Sequence, residues 1–329
     1  AYERPKRDWS SDVCSSDLGT PPDGAPPRGG AGTPPPGSGT GSSSAEDGLS
    51  TATSAYTLDG GTDTQTDQTY TASNEDQSGA YALNGGSLTL NNATVNTSGN
   101  TSSDENSSFY GLNAGVLAAS GSTITMTGGT ITTSGTGANG AFATGSGTSV
   151  TLTDVTINAT GDGGHGIMAT QGGAITLNNV DMTTSGAHSA PIATDRGGGT
   201  ITANDGTIIT SGQDSPCYYS TGTLIIANST CNATGSEAVV IEGANSVTLT
   251  DSNLVSSVAD KWGIMIYQSF SGDALGSDGI FTMSGGSLAY NDANDPLFYV
   301  TNTNGHISLM GVEVTAASGT LVKAEGNDR

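Results

Sequence analysis

An apolar residue, a threonine and a second apolar residue recur along this chain, as Leu88-Thr89-Leu90, Ile124-Thr125-Met126, Val150-Thr151-Leu152 and Ile175-Thr176-Leu177. The series continues from Ile201, Leu224, Val247, Phe281 and Ile307, in steps of 23–26 residues apart from two of 36 and 34. Both long steps hold polar inserts, "TSSDENSS" at 101–108 and "SFSGDALGSDG" at 269–279. Seven residues beyond the triplet starts stand Val95, Ile131, Ile157, Met182, Ile208, Cys231, Leu254, Leu288 and Val314, every one apolar in a chain that is 33% hydrophobic. A third apolar segment closes the repeat, as in "GAFAT" (140–144), "GIMAT" (166–170), "PIATD" (191–195), "AVVIE" (238–242) and "GIMIY" (263–267).

Three short strands per repeat, turned at Gly and Asn, predict one coil of a parallel β-helix. Coils stacked at the strand spacing of about 4.8 Å share a core that no single coil can bury. The hexapeptide period of left-handed β-helices is absent, so a right-handed coil is expected. Nine triplets and an earlier turn around "AYTLDG" and "GAYALNGG" predict about ten coils over residues 51–329. The rod would be roughly 45–50 Å long. Thr89, Thr125, Thr151, Thr176, Thr202, Thr248 and Thr282 then form an outward column. Threonine is β-branched yet polar, which suits an exposed strand. A flat threonine array also raises ice binding as a third reading, but Ile225 interrupts the column and Ser308 ends it.

Composition sharpens the picture. Eight Lys and Arg face 31 Asp and Glu, for a net charge of −23. Nucleic acid needs clustered cations, and so does anionic lipid. Beyond residue 45 the only cations are Arg196, Lys261, Lys323 and Arg329. No apolar run approaches the roughly 20 residues of a membrane helix. Residues 19–50 are dominated by Pro, Gly and Ser and read as a disordered stalk.

The opening "RDWSSDVCSSDL" has neither the apolar centre of a signal peptide nor a strand pattern. Its back-translation resembles a short-read sequencing adapter, so residues 1–18 are expected to be non-native and the natural N-terminus, with any signal or anchor, to be missing. The C-terminus is expected to be cut as well. Cys231 sits in an apolar column and Cys217 in a different strand, which leaves a bridge between them open. No cysteine or histidine spacing points to zinc.

The repeat resembles the pectin-lyase-like superfamily of pectate lyases, polygalacturonases and adhesins. Polygalacturonase-type hydrolases use an aspartate cluster beside Gly-His-Gly and an Arg-x-Lys. This chain has "GGHG" around His165 and Asp162 beside it, but neither an Asp-Asp pair nor an Arg-x-Lys. A pectate-lyase mechanism needs Ca²⁺ on several carboxylates and a cationic base; Arg196, after Asp195, is the one cation between residues 29 and 260. No cofactor is expected, with Ca²⁺ the one left open. Asp195, Arg196 and His165 are the catalytic candidates the chain supplies. The third strand is the most individual face, and Asp195, Arg196, Tyr219, Glu237, Glu242, Tyr267 and Gln268 are its expected glycan contacts, since aromatic faces stack on sugars between polar groups. "SAPIATDRGGGT", "SEAVVIEG", "GIMIYQSFSGDA" and "FYVTNTN" after the stalk are similar to secreted, adhesin-like bacterial β-helix proteins. That resemblance implies surface exposure and no established activity. The expected protein is an extracellular, monomeric, non-enzymatic rod that binds glycans or surface partners; a polysaccharide lyase or glycoside hydrolase is the alternative.

Overall fold

The computed structural model describes residues 48–269 and 274–326, which wind into a parallel β-solenoid of about ten turns. The adapter-like opening and the stalk up to residue 47 lie outside the described residues. The third segments stack as an eleven-stranded sheet, and the first and second segments join in a sixteen-stranded one. In four coils these two segments run on as single strands, Ser87–Thr97, Thr123–Thr133, Gly199–Thr210 and Thr223–Ala233, instead of the two separate strands expected.

The register follows the sequence columns. Thr89 pairs Thr125, Thr125 pairs Thr151, and the column runs on through Thr176, Thr202, Ile225, Thr248, Thr282 and Ser308. The inward column also holds rung by rung, from Val95 through Ile131, Ile157, Met182, Ile208, Cys231, Leu254 and Leu288 to Val314. Each buried member of it, such as Ile157 at 0% exposure, contributes about 1.5–3 kcal/mol over an exposed side chain.

Two further columns fix the corners. Between the first and second segments one residue per coil takes a positive φ of 47–69°: Asp67, Asn92, Gly128, Asp154, Asn179, Asp205, Asn228, Asp251, Gly285 and Gly311. All are Asp, Asn or Gly, the residues that tolerate the left-handed conformation. After the second segment, Gly99, Gly135, Gly161, Gly186, Gly212 and Gly235 stack. A Cβ on Gly161 would lie 2.0 Å from the Gly135 carbonyl oxygen. Close approach, not φ, requires glycine here. Their carbonyls accept side-chain hydrogen bonds from the next corner, with Asn113 donating to Gly99 at 2.9 Å, Ser189 to Gly161 at 2.9 Å and Ser215 to Gly186 at 2.9 Å.

Cys217 and Cys231 are bonded, with Cα atoms 6.2 Å apart. The bridge is fully buried in the main core and ties the start of a third segment to the following second segment. The two ends of the solenoid differ. In the first coil Asp63 and Gln65 occupy the inward positions that Leu88 and Leu90 fill one coil later. Tyr56 donates its hydroxyl to Asp63 and Gln65 donates to the same carboxylate at 2.6 Å. Inward-pointing polar groups of this kind blunt a sheet edge.

Candidate functional site on the third-segment sheet

Side chains alternate across the third-segment sheet. Ile167, Ile192, Val239, Ile241 and Ile264 point into the main core, while Phe142, Met168, Ala193, Tyr219, Val240 and Met265 form a second apolar cluster on the outer face. That face was expected to carry the glycan contacts, and its apolar side chains are buried.

Among the described residues, the insert after the first long step supplies part of the cover. It folds as the helix Asp104–Tyr110, capped by the Ser103 side chain and by Gly111 at φ 81°. Seven residues do not hold a helix by themselves. Packing does: the Thr170 hydroxyl donates to the Phe109 carbonyl at 2.7 Å, the Ser107 hydroxyl to the Gly137 carbonyl, and the Arg196 guanidinium lies 3.8 Å from the Phe109 ring centre. Gly48 abuts the Tyr110 ring so closely that it has no room for a Cβ, and Leu49, at the expected end of the stalk, is buried in the second cluster. At the other end, Ser269, Ala274 and Leu275 pack beside Glu242, Gly243 and Ala244.

The sequence candidates separate into three places. Tyr219, Glu242 and Tyr267 come together: the Glu242 carboxylate, 2% exposed, accepts hydroxyls from Tyr219 at 2.5 Å, Tyr267 at 2.9 Å and Ser269. Gln268 stands beside them and donates to the Ala274 carbonyl at 2.8 Å. Ser269 was missed because it opens an insert with no repeat register.

Asp195 follows the strand Ile192–Thr194, two coils before the strand Val239–Glu242 that carries Glu242. It is 1% exposed, and one of its oxygens accepts the Arg196 main-chain N–H at 2.7 Å. The Arg196 guanidinium lies 3.2 Å from Glu105, with 45% of its side chain exposed.

His165 and Glu237 lie at the opposite edge of the sheet, where the strands begin. His165 is 1% exposed; its main-chain N–H donates to Asn139 Oδ1 at 3.0 Å and its Nδ1 faces the Ala190 carbonyl at 3.2 Å. Burial pulls its pKa down to about 4. It is a neutral corner residue. Glu237 is fully buried beside Lys261 and Asp214, and burial raises its pKa above the usual carboxylate range. Asp214 and Lys261 were not singled out, although their spacing from Glu237, 23 and 24 residues, is the repeat step.

Three catalytic candidates therefore do not converge: His165 and the Asp195–Arg196 pair stand at opposite ends of their strands. Among the described residues no group of three or more His, Cys, Asp and Glu side chains gathers to hold a metal ion.

No protein-family model matches the chain, and no curated protein matches it in sequence. Among solved structures, the surface protein and adhesin PfbA of Streptococcus pneumoniae is similar at 11% identity and a TM-score of 0.31, over 82% of this chain and 92% of that one, a likeness too distant to bear on activity.

Proposed function

We propose that this chain is an extracellular, adhesin-like β-helical rod that engages glycans or other surface partners without turning them over. In this reading residues 19–50 are a stalk whose last residues, Gly48 and Leu49, dock on the rod, and 51–329 are the rod, which works as a monomer. The observation that carries it is the condition of Glu242. A catalytic acid must reach substrate, whereas this carboxylate is buried with hydroxyls on both oxygens and braces the outer layer. The buried disulfide supports an oxidising location outside the cytosol. The chain's excess of 31 acids over eight Lys and Arg keeps repetitive β-structure soluble. Among the described residues no helix is long and apolar enough to cross a membrane.

Arg196 is the contact this reading favours. It is half exposed and held in place by Glu105 and Phe109, and its fork matches a sugar carboxylate. The test is a glycan array probed with the chain and with Arg196→Ala. Selective binding to acidic glycans, weakened at least about tenfold in the variant, is expected. Binding that the variant retains in full moves the site off this face, and silence across the array removes glycans as the partner class.

A carbohydrate-active enzyme, a polysaccharide lyase or glycoside hydrolase using Asp195, Arg196 and neighbouring acids, is the second reading.

A further inference from the structure

At the corner where third segments begin, three charged side chains from three successive coils meet away from water. Asp214, Glu237 and Lys261 come from successive coils, 23 and 24 residues apart, and their side chains meet at this corner. Their side chains are 6%, 0% and 13% exposed. Lys261 Nζ is paired with Asp214 Oδ1 and lies 4.0 Å from Glu237 Oε2. Gln213 donates to Asp214 Oδ2 at 3.0 Å, and Ser236 donates to Glu237 Oε2 at 2.7 Å. Glu237 Oε1 is buried with no hydrogen-bond partner. The Tyr290 hydroxyl pins the main chain below by donating to the Lys261 carbonyl at 2.8 Å.

A buried ion pair is a poor stabiliser, because desolvation offsets most of its attraction. This one also carries two acids for one cation. Burial accordingly holds Glu237 toward its protonated form. An amine, a carboxyl group and a proton carrier at this range are the components of amide formation.

We infer that Lys261 and Asp214 become joined by an intramolecular isopeptide bond, with Glu237 moving the protons. Within the pair the ammonium passes a proton to the carboxylate, leaving a free amine and a carboxylic acid. Nζ then attacks Cγ of Asp214, and the Gln213 amide steadies the developing charge on Oδ2. Glu237 gives its proton to the hydroxyl at Oδ1, which departs as water, and takes one from Nζ, ending as it began. The Nζ–Cγ bond forms, the Cγ–Oδ1 bond breaks, and nothing is oxidised or reduced. A shift of about 1 Å brings Glu237 within hydrogen-bond distance of Nζ. The product staples residues 47 apart across two coil steps, a second cross-link close to the disulfide.

The test is the intact mass of the reduced full chain, followed by tandem mass spectrometry of its tryptic peptides. The expected result is a mass lower than the sequence by one water and a branched peptide joining Lys261 to Asp214. Lys261→Arg should restore the full mass, and Glu237→Gln should leave the linked fraction near zero with Lys261 and Asp214 intact. Wild-type chain at full mass, cleaved by trypsin after Lys261, overturns the proposal regardless of how the variants fold. Loss of water that persists in Lys261→Arg overturns it too, since that assigns the loss to a cyclised aspartate.

Discussion

Single residues in this molecule answer to the coil next door. His165 occupies the rung that Asn139 fills one coil earlier, and both satisfy main-chain groups at the same corner. Its pKa, lowered from 6.5 to about 4 by burial, makes stability depend on pH. The native state prefers neutral imidazole, so this contribution is full above pH 6.5. It declines as pH falls from 6.5 toward 4, where the unfolded chain binds a proton that the folded chain does not. The loss amounts to about 3 kcal/mol. The groups facing the ring are the Ala190 carbonyl and, at longer range, His188, which lowers the pKa slightly further. In His165→Asn the denaturation midpoint should fall less than that of wild type between pH 6.5 and 4; parallel curves would remove His165 from the acid response. That His165 is a corner residue was legible, because the repeat places it where Asn139 stands. The burial of Tyr219, Glu242 and Tyr267 was not legible. An outward strand position is exposed or covered according to segments outside the register, here the helix from Asp104 and the insert from Ser269.

Strands and corners obey simpler rules. The apolar columns, the threonine ladder and the Asp/Asn/Gly corner could be read from the sequence because each coil repeats the same local demand at the same spacing. The stacked glycines were readable in principle, as Ser-Gly or Thr-Gly eleven residues past each triplet start up to Gly235. Their cause is not a local one. It is a carbonyl of the neighbouring coil lying where a Cβ would go. Gly161→Ala therefore forces main chain against the Gly135 carbonyl and should cost about 1–3 kcal/mol. Hydrogen exchange should rise at the corners of that coil and its neighbours. Protection equal to wild type would show that the corners yield without cost.

At the scale of the whole rod, each coil contacts its neighbours and stability is shared locally. The disulfide closes a loop with a sequence separation of 14, which corresponds to about 3 kcal/mol in the chain-entropy account. Replacing both Cys217 and Cys231 with Ala should loosen the coils around residues 217–254 first, seen as faster amide exchange there, with the first coils unchanged. Uniform loosening along the chain would mean that the rod melts as one unit. The proposed function, holding a glycan and leaving it intact, is a property of the whole rod. Its most direct test is to incubate the purified chain with acidic polysaccharides at length and measure their size distribution. Polymers retained on the protein at unchanged length are the predicted result. Shortened chains, with new reducing or unsaturated ends that disappear in Glu242→Gln, would contradict it and make the surroundings of Glu242 an active site.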